Sequence, residues 1–343
     1  MKPINRWARL KSLAYFVPEK TLDNERIVAE LGLNWTAEEI FEKTGVRKRH
    51  IVDADVCASD IGYMAAEKLF RCEEIDAKDI DFLLFCTQSP DYFLPTTACL
   101  LQERLGLKCS CGAMDINQGC SGFIYGLAMA KGLVESGCAE RVLLITAETY
   151  SKYLAPNDRT TRTLFGVGAA AALICAADAE NPFLDAFVFG TDGTGCENLI
   201  LPAGGSRYPS QRKKLFTEKD SYPFLDIKNH LYMNGPEIFQ FVLQRVPKTV
   251  QAVLQKKQMR IEEVDYFIFH QANKFILEHL RKRMRIPSDR FYMNLSEYGN
   301  TVSASIPIAL QEAYKEGCVK PGMKVLLVGF GVGYSWGGCM IQM

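Results

Sequence analysis

Net charge is the first thing this sequence lacks: Lys and Arg total 40, and so do Asp and Glu. A balance of this kind removes the broad basic field used by proteins that bind nucleic acid or anionic membrane surfaces. No apolar run approaches the ~20 residues of a membrane span. The opening MKPINRWARLKSLAYF has neither an uninterrupted apolar stretch nor a small-residue cleavage site, which argues against secretion and for a cytoplasmic location. There are 4 histidines, and the 12 cysteines include no CxxC pair. Cys109 and Cys111 are separated by a single serine, the wrong spacing for a zinc clip, so no metal site is expected. Most of the cysteines read as small buried hydrophobes in a reducing compartment.

What is present is a chain of 343 residues, 48% hydrophobic, able to bury one large core or two of ordinary size. Strand-like runs alternate with longer amphipathic ones, the pattern of an α/β protein. The chain also resembles itself at an offset of about 180 residues. DFLLFC (81–86) is echoed by DYFIFH (265–270), and DINQGC (115–120) by MNLSEYGN (293–300). Cys120 precedes Gly137 by 17 residues and Asn300 precedes Gly317 by 17 residues, each glycine standing where a helix would end before an apolar strand. The repeat divides the chain into an N-terminal half, 1–178, and a C-terminal half, 179–343, with the boundary at the polar turn Ala177–Pro182. It places Cys120 and Asn300 at equivalent strand-to-helix corners. The small face Gly122, Gly126, Ala130 of the first helix is expected to pack against the second helix. A polar and aromatic excursion at 204–224 reads as a loop that covers something or docks a partner.

Three residues stand out chemically. A cysteine at a helix N-terminus meets unpaired N–H groups and the positive end of the macrodipole, which favour the thiolate and make Cys120 a candidate nucleophile. His270 ends a strand, where ligands gather in open α/β sheets. Asn300 alone would read as turn or N-cap chemistry; as the repeat-mate of Cys120 it becomes an amide donor aimed at the same point. The tail GFGVGYSWGG (329–338) lacks dinucleotide-loop spacing; it fits either an oxyanion hole of backbone N–H groups or a tight core turn.

QGCSGF, FHQAN and YGNTVSASIP, in that order, with TGVRKRHI (44–51), LPTTAC (94–99) and the glycine-rich tail, resemble the β-ketoacyl-ACP synthase III family of the thiolase superfamily over nearly the whole chain. The resemblance implies a duplicated five-layer αβαβα thiolase-like fold, a homodimer, and a Cys120–His270–Asn300 site at the base of a pantetheine tunnel. It implies a decarboxylating condensation of an acyl thioester with malonyl thioester on acyl carrier protein, through an acyl-Cys120 intermediate. No cofactor is implied beyond the coenzyme A or phosphopantetheine that carries the substrates. It implies an oxyanion hole of the Cys120 and Val332 N–H groups, and tunnel positions at Arg159, Gly235, Phe239 and Asn273. Leu94 and Phe165 match acyl-pocket positions, Leu94 reaching across the dimer. The helix carrying Lys274, Arg281, Lys282 and Arg283 matches the one that meets acidic carrier protein; without the resemblance it reads equally as a solvated basic face.

The sequence departs from the family where Glu39 replaces a tryptophan that stacks on adenine, where Lys43 replaces an arginine, and where Phe275 replaces a docking arginine. The FGGG turn becomes Phe330-Gly331-Val332-Gly333. These departures suggest a specialised paralogue and weaken the case for coenzyme A as donor. Two rival chemistries stay open: acyl transfer from Cys120 to an alcohol or amine without decarboxylation, and, remotely, a papain-type protease. A catalytically silent scaffold is the third alternative.

Overall fold

The repeat in sequence is a repeat in space. The computed structural model describes residues 5–32, 34–208 and 229–343; most of the expected loop at 204–224 lies outside the described residues. Numbering only the strands of the two large sheets, the first contains β1 (Asn5–Phe16), β2 (Phe82–Cys86), β3 (Gly112–Ile116), β4 (Arg141–Glu148) and β5 (Gly168–Ala179), in the order β1-β5-β4-β2-β3. The second contains β6 (Leu184–Thr191), β7 (Tyr266–Phe269), β8 (Lys324–Gly331) and β9 (Ser335–Gln342), in the order β6-β9-β8-β7. The pairings match: β2 with β4 and β7 with β8 are parallel, and every pairing from there to β1 or β6 is antiparallel. The counterpart of β3 is reduced to one parallel bridge, Phe291 to Phe267.

The layering helices are α1 (Ala58–Glu73), α2 (Thr97–Arg104), α3 (Gly122–Glu135), α4 (Gly235–Lys257), α5 (Lys274–Arg283) and α6 (Ser305–Lys315). Side chains alternate across a strand, so each sheet feeds two cores. Leu83 and Phe85 of β2 pack under α1 and α2 with Ile61, Leu69 and Leu101. Phe267 and Phe269 of β7 pack under α4 and α5 with Val242, Val246 and Leu277. The opposite faces, Leu84 and Leu144 from one sheet and Ile268 and Leu327 from the other, close on α3 and α6 through Ile124, Leu127, Ile306 and Leu310. The result is the αβαβα order of five layers, as expected.

The ends of the repeat match closely. Asp81 accepts from the N–H groups of Glu140 and Arg141, both at 2.9 Å, and Asp265 accepts from that of Lys324 at 2.7 Å. Gly137 and Gly317 both follow helix ends in the left-handed region, at φ 78° and 74°. One packing expectation is corrected. Gly126 faces β4, not α6: a Cβ there would fall 2.6 Å from Leu144 Cδ1. The central helices approach at their starts instead, where a Cβ on Gly122 would lie 3.5 Å from Ser303 Cβ. Among the described residues no helix is long and apolar enough to cross a membrane.

Candidate active site

Cys120 sits on the corner between β3 and α3 and is 4% exposed. The glycines of β8 make room for it. A Cβ on Gly331 would fall 2.6 Å from Cys120 Sγ, and one on Gly329 would fall 2.8 Å from the Cys120 carbonyl oxygen. The backbone N–H groups of Val332 and of Cys120 itself favour the thiolate. The expectation of a depressed thiol pKa is overturned. Burial dominates and pushes the Cys120 thiol up to about 12, while the two N–H groups pull it back only in part. The resting nucleophile is a neutral thiol.

His270 follows β7, its N–H bonded to the Val328 carbonyl at 2.8 Å. Its Nδ1 lies 2.7 Å from Ser305 Oγ, and the ring stands edge-on to Phe330 with centroids 5.5 Å apart. Burial holds the imidazole down at about 3, so it is neutral at physiological pH. Asn300 is buried as well. Its N–H and C=O bond Leu164 and Gly166, and its Oδ1 accepts from the Val302 N–H at 2.9 Å, which fixes the side chain and turns Nδ2 into its available donor. Val302, at φ 53°, is a β-branched residue in the left-handed region, a strained backbone that the surroundings hold. Arg49 of TGVRKRHI is fully buried and donates to Leu22 O, Asn24 Oδ1 and Thr163 O, bracing the stretch that meets Asn300.

Among the described residues, Thr87, Gln88, Asn117, Tyr150 and Val332 line part of a cavity of about 1250 Å³. Phe165 is buried, bridged to Asn300 and packed on Tyr150 with ring centroids 5.5 Å apart. Leu94 does not join it. It is 83% exposed at the end of an apolar tip whose Tyr92 and Phe93 line this chain's cavity while Leu94 does not. Gly235 opens α4 with space where a Cβ would be, and Phe239 packs with Phe275 and His279. Asn273 caps α5 through the Ile276 N–H at 2.8 Å.

On α5, Lys274, Lys282 and Arg283 are exposed. Arg281 is different. Its guanidinium is taken by Glu278 at 2.8 Å and by the Ile286 carbonyl at 3.1 Å, which removes it as a free docking cation.

Several residues were not legible beforehand. Glu39 is the N3 member of a capping box with Thr36, accepting from the Thr36 N–H at 2.7 Å, so this position serves its own helix. Trp35, one turn earlier, carries the Lys43 ammonium 4.2 Å from its ring and the Arg159 guanidinium at 5.7 Å. Glu148, Gln88, Tyr150 and Ser305 surround the site and were also missed. The signal for Glu148 was present: an acidic residue ending the apolar run VLLITAE, where a carboxylate has no water.

Two sequence profiles match, "3-Oxoacyl-[acyl-carrier-protein (ACP)] synthase III" over residues 114–193 and its C-terminal counterpart over 254–343. The β-ketoacyl-[acyl-carrier-protein] synthase III of Clostridioides difficile (strain 630) is 36% identical over 339 residues, 99% of each chain. That of Caldanaerobacter subterraneus subsp. tengcongensis is 38% identical over 327 residues, 95% of each. A crystal structure of a 3-oxoacyl-(acyl-carrier-protein) synthase III superposes with a TM-score of 0.93 at 44% identity, covering 99% of this chain and 100% of that one. The chain belongs to the β-ketoacyl-acyl-carrier-protein synthase III family.

Proposed function

We infer that this protein joins an acyl group to a malonyl thioester on acyl carrier protein, releasing carbon dioxide and giving a 3-oxoacyl thioester. The observation that supports this best is a buried neutral thiol packed against Gly331, with the His270 ring set against the neighbouring Phe330 and the buried Asn300 amide fixed through its Oδ1. Cys120 attacks the acyl thioester, and its proton leaves with the departing thiol. The Cys120 and Val332 N–H groups hold the tetrahedral oxyanion. The malonyl thioester then loses carbon dioxide, and its electron pair becomes an enolate. Neutral His270 and the Asn300 Nδ2 donate to the enolate oxygen; no base is needed, which suits an imidazole that burial keeps uncharged. The enolate carbon attacks the acyl-Cys120 carbonyl, and the thiolate leaves and recovers a proton from solvent.

The donor arrives on coenzyme A in this reading. Trp35, flanked by Lys43 and Arg159, offers an aromatic face and two cations for adenine and phosphate at the position Glu39 vacates. Lys274, Lys282 and Arg283 form the face for an acidic carrier protein, and Arg159, Gly235, Phe239 and Asn273 mark the approach of the pantetheine arm. The exposed apolar tip Tyr92–Leu94 fits a homodimer in which Leu94 enters the partner's acyl pocket. The cytoplasm is the compartment expected for an enzyme drawing on these substrates. Intact-protein mass spectrometry with a panel of acyl-coenzyme A thioesters, followed by carbon dioxide release from malonyl-carrier protein, tests the reading. A mass gain on Cys120 with carbon dioxide release supports it; a gain without release points to acyl transfer to an alcohol or amine.

A further inference from the structure

Glu148 ends β4 in the first half and takes no part in the reaction derived above. It is 0% exposed, and four residues donate to its carboxyl oxygens. Three come from the end of β2: the Gln88 N–H at 3.1 Å, Ser89 Oγ at 3.1 Å and Thr87 Oγ1 at 3.5 Å. The fourth is Ser303 Oγ, at 2.8 Å, from the second half. Burying a carboxyl group costs free energy, recovered only where its hydrogen bonds are made. Burial pushes the Glu148 carboxyl up to about 8, against the pull of these same four residues.

Ser303 occupies the middle of the segment that carries or orients both enolate donors. Asn300 begins the segment, and its Oδ1 holds the N–H of the strained Val302. Ser305 ends it, 2.7 Å from His270 Nδ1. On the other side, Gln88 packs over Gly119, where a Cβ would fall only 2.3 Å from Gln88 Oε1, and accepts the Tyr150 hydroxyl at 2.7 Å. Glu148 thus touches the wall of the Cys120 corner and the centre of the Asn300–Ser305 segment.

We propose that Glu148 is a positioning residue that sets the Asn300–Ser305 segment, and with it His270 and Asn300, in register with Cys120 across the junction of the two halves. The proposal rests on the condensation reading, because only a two-step reaction lets the two sides be read separately. Acylation uses Cys120 and the N–H groups of Cys120 and Val332, all held by β3, α3 and β8. Decarboxylation uses His270 and Asn300, whose settings pass through Ser303. A loosened clamp therefore slows the second step and spares the first.

The test uses the full chain with Ser303→Ala, Glu148→Gln and Glu148→Ala. Acyl-Cys120 formation from a short acyl-coenzyme A is timed by intact mass, and carbon dioxide release from malonyl-carrier protein is timed separately. In Ser303→Ala, acylation is expected within about twofold of wild type, while the turnover rate for decarboxylation falls about tenfold with little change in KM, a loss the size of one orienting hydrogen bond. Glu148→Ala falls further, and Glu148→Gln, which keeps one carbonyl acceptor, recovers part of the loss. Equal loss in both steps, in proportion to a lowered thermal midpoint, would mean a merely structural role and overturn the proposal. So would unchanged decarboxylation in Ser303→Ala. A wild-type protein that acylates Cys120 but releases no carbon dioxide would instead overturn the condensation reading, and the clamp with it.

Discussion

In the first half the chain leaves β3 at Ile116 and enters α3 at Gly122, and the tight corner between them carries Cys120. In the second half the equivalent stretch is longer. From the Phe291 bridge it makes a short helix, Leu295–Tyr298, then passes Asn300 and the turn Val302–Ala304 before α6 starts at Ser305. The scaffold around both corners is the same, down to the aspartates that tie β2 to β4 and β7 to β8. The difference is what each corner must hold. A nucleophile needs its sulfur against backbone N–H groups, and a direct entry into a helix beside a glycine strand supplies them. An amide donor needs its oxygen occupied so that its nitrogen faces the substrate, and that takes extra backbone, including a residue at positive φ.

Removing each corner's residue breaks this comparison most sharply. Cys120→Ala should form no acyl-enzyme and lose condensation by at least about 1000-fold. Asn300→Ala should lose about 100- to 1000-fold in condensation, the usual cost of one oxyanion donor, while Cys120 still acylates within a fewfold of wild type. Mass spectrometry on both variants decides it. An Asn300→Ala enzyme that cannot be acylated would show that the corners are not divided between the two steps.

The halves also bury titratable groups of opposite sign. His270 is depressed from its ordinary value of 6.5 to about 3, so its contribution to stability is present above pH 6.5 and lost as pH falls toward 3. Glu148 is raised from 4.5 to about 8, so its contribution is present below pH 4.5 and lost as pH rises through 8. Offsets of several units correspond to roughly a few kcal/mol each. Urea midpoints measured from pH 3 to 9 should therefore fall less steeply on the acid side for His270→Ala, and less steeply from pH 5 to 8 for Glu148→Gln. Curves parallel to wild type would sink the assignment of those slopes to these two groups.

What could be read beforehand was local. Strand periodicity, the DFLLFC–DYFIFH echo, the matched intervals to Gly137 and Gly317, and the three chemical residues all lie within short windows of sequence. What could not be read depends on depth or on distant partners. The Cys120 thiol was expected to be depressed by its helix end, and no local pattern says that the corner is buried deeply enough for desolvation to win. Ser303 and Glu148 are 155 residues apart, so the bond between them is visible only in the folded chain. Trp35 matches no family position, and nothing in the sequence says that Glu39, four residues on, caps its own helix while Lys43 and Arg159 gather on the Trp35 ring. Arg281 was a readable error: Glu278 stands three residues before it on the same face.

The mildest test falls on the scaffold. Gly137 and Gly317 hold φ 78° and 74°, and a Cβ at either position would meet nothing within 4 Å. An alanine at either place should therefore cost only the backbone strain of the left-handed conformation, about 1 kcal/mol, and the same amount in both halves. Each glycine donates to the carbonyl three residues back, Val134 or Tyr314, at 3.1 Å, and two residues on, the N–H of Ala139 or Val319 returns to Leu133 or Ala313 at 3.0 Å. With local bonding so alike, the two variants should share one denaturation midpoint, and neither should alter acylation or decarboxylation. Unequal midpoints would mean that the second half, with its strained Val302 turn at the other end of α6, carries less margin than the first. The duplication would then preserve geometry at this point without preserving stability.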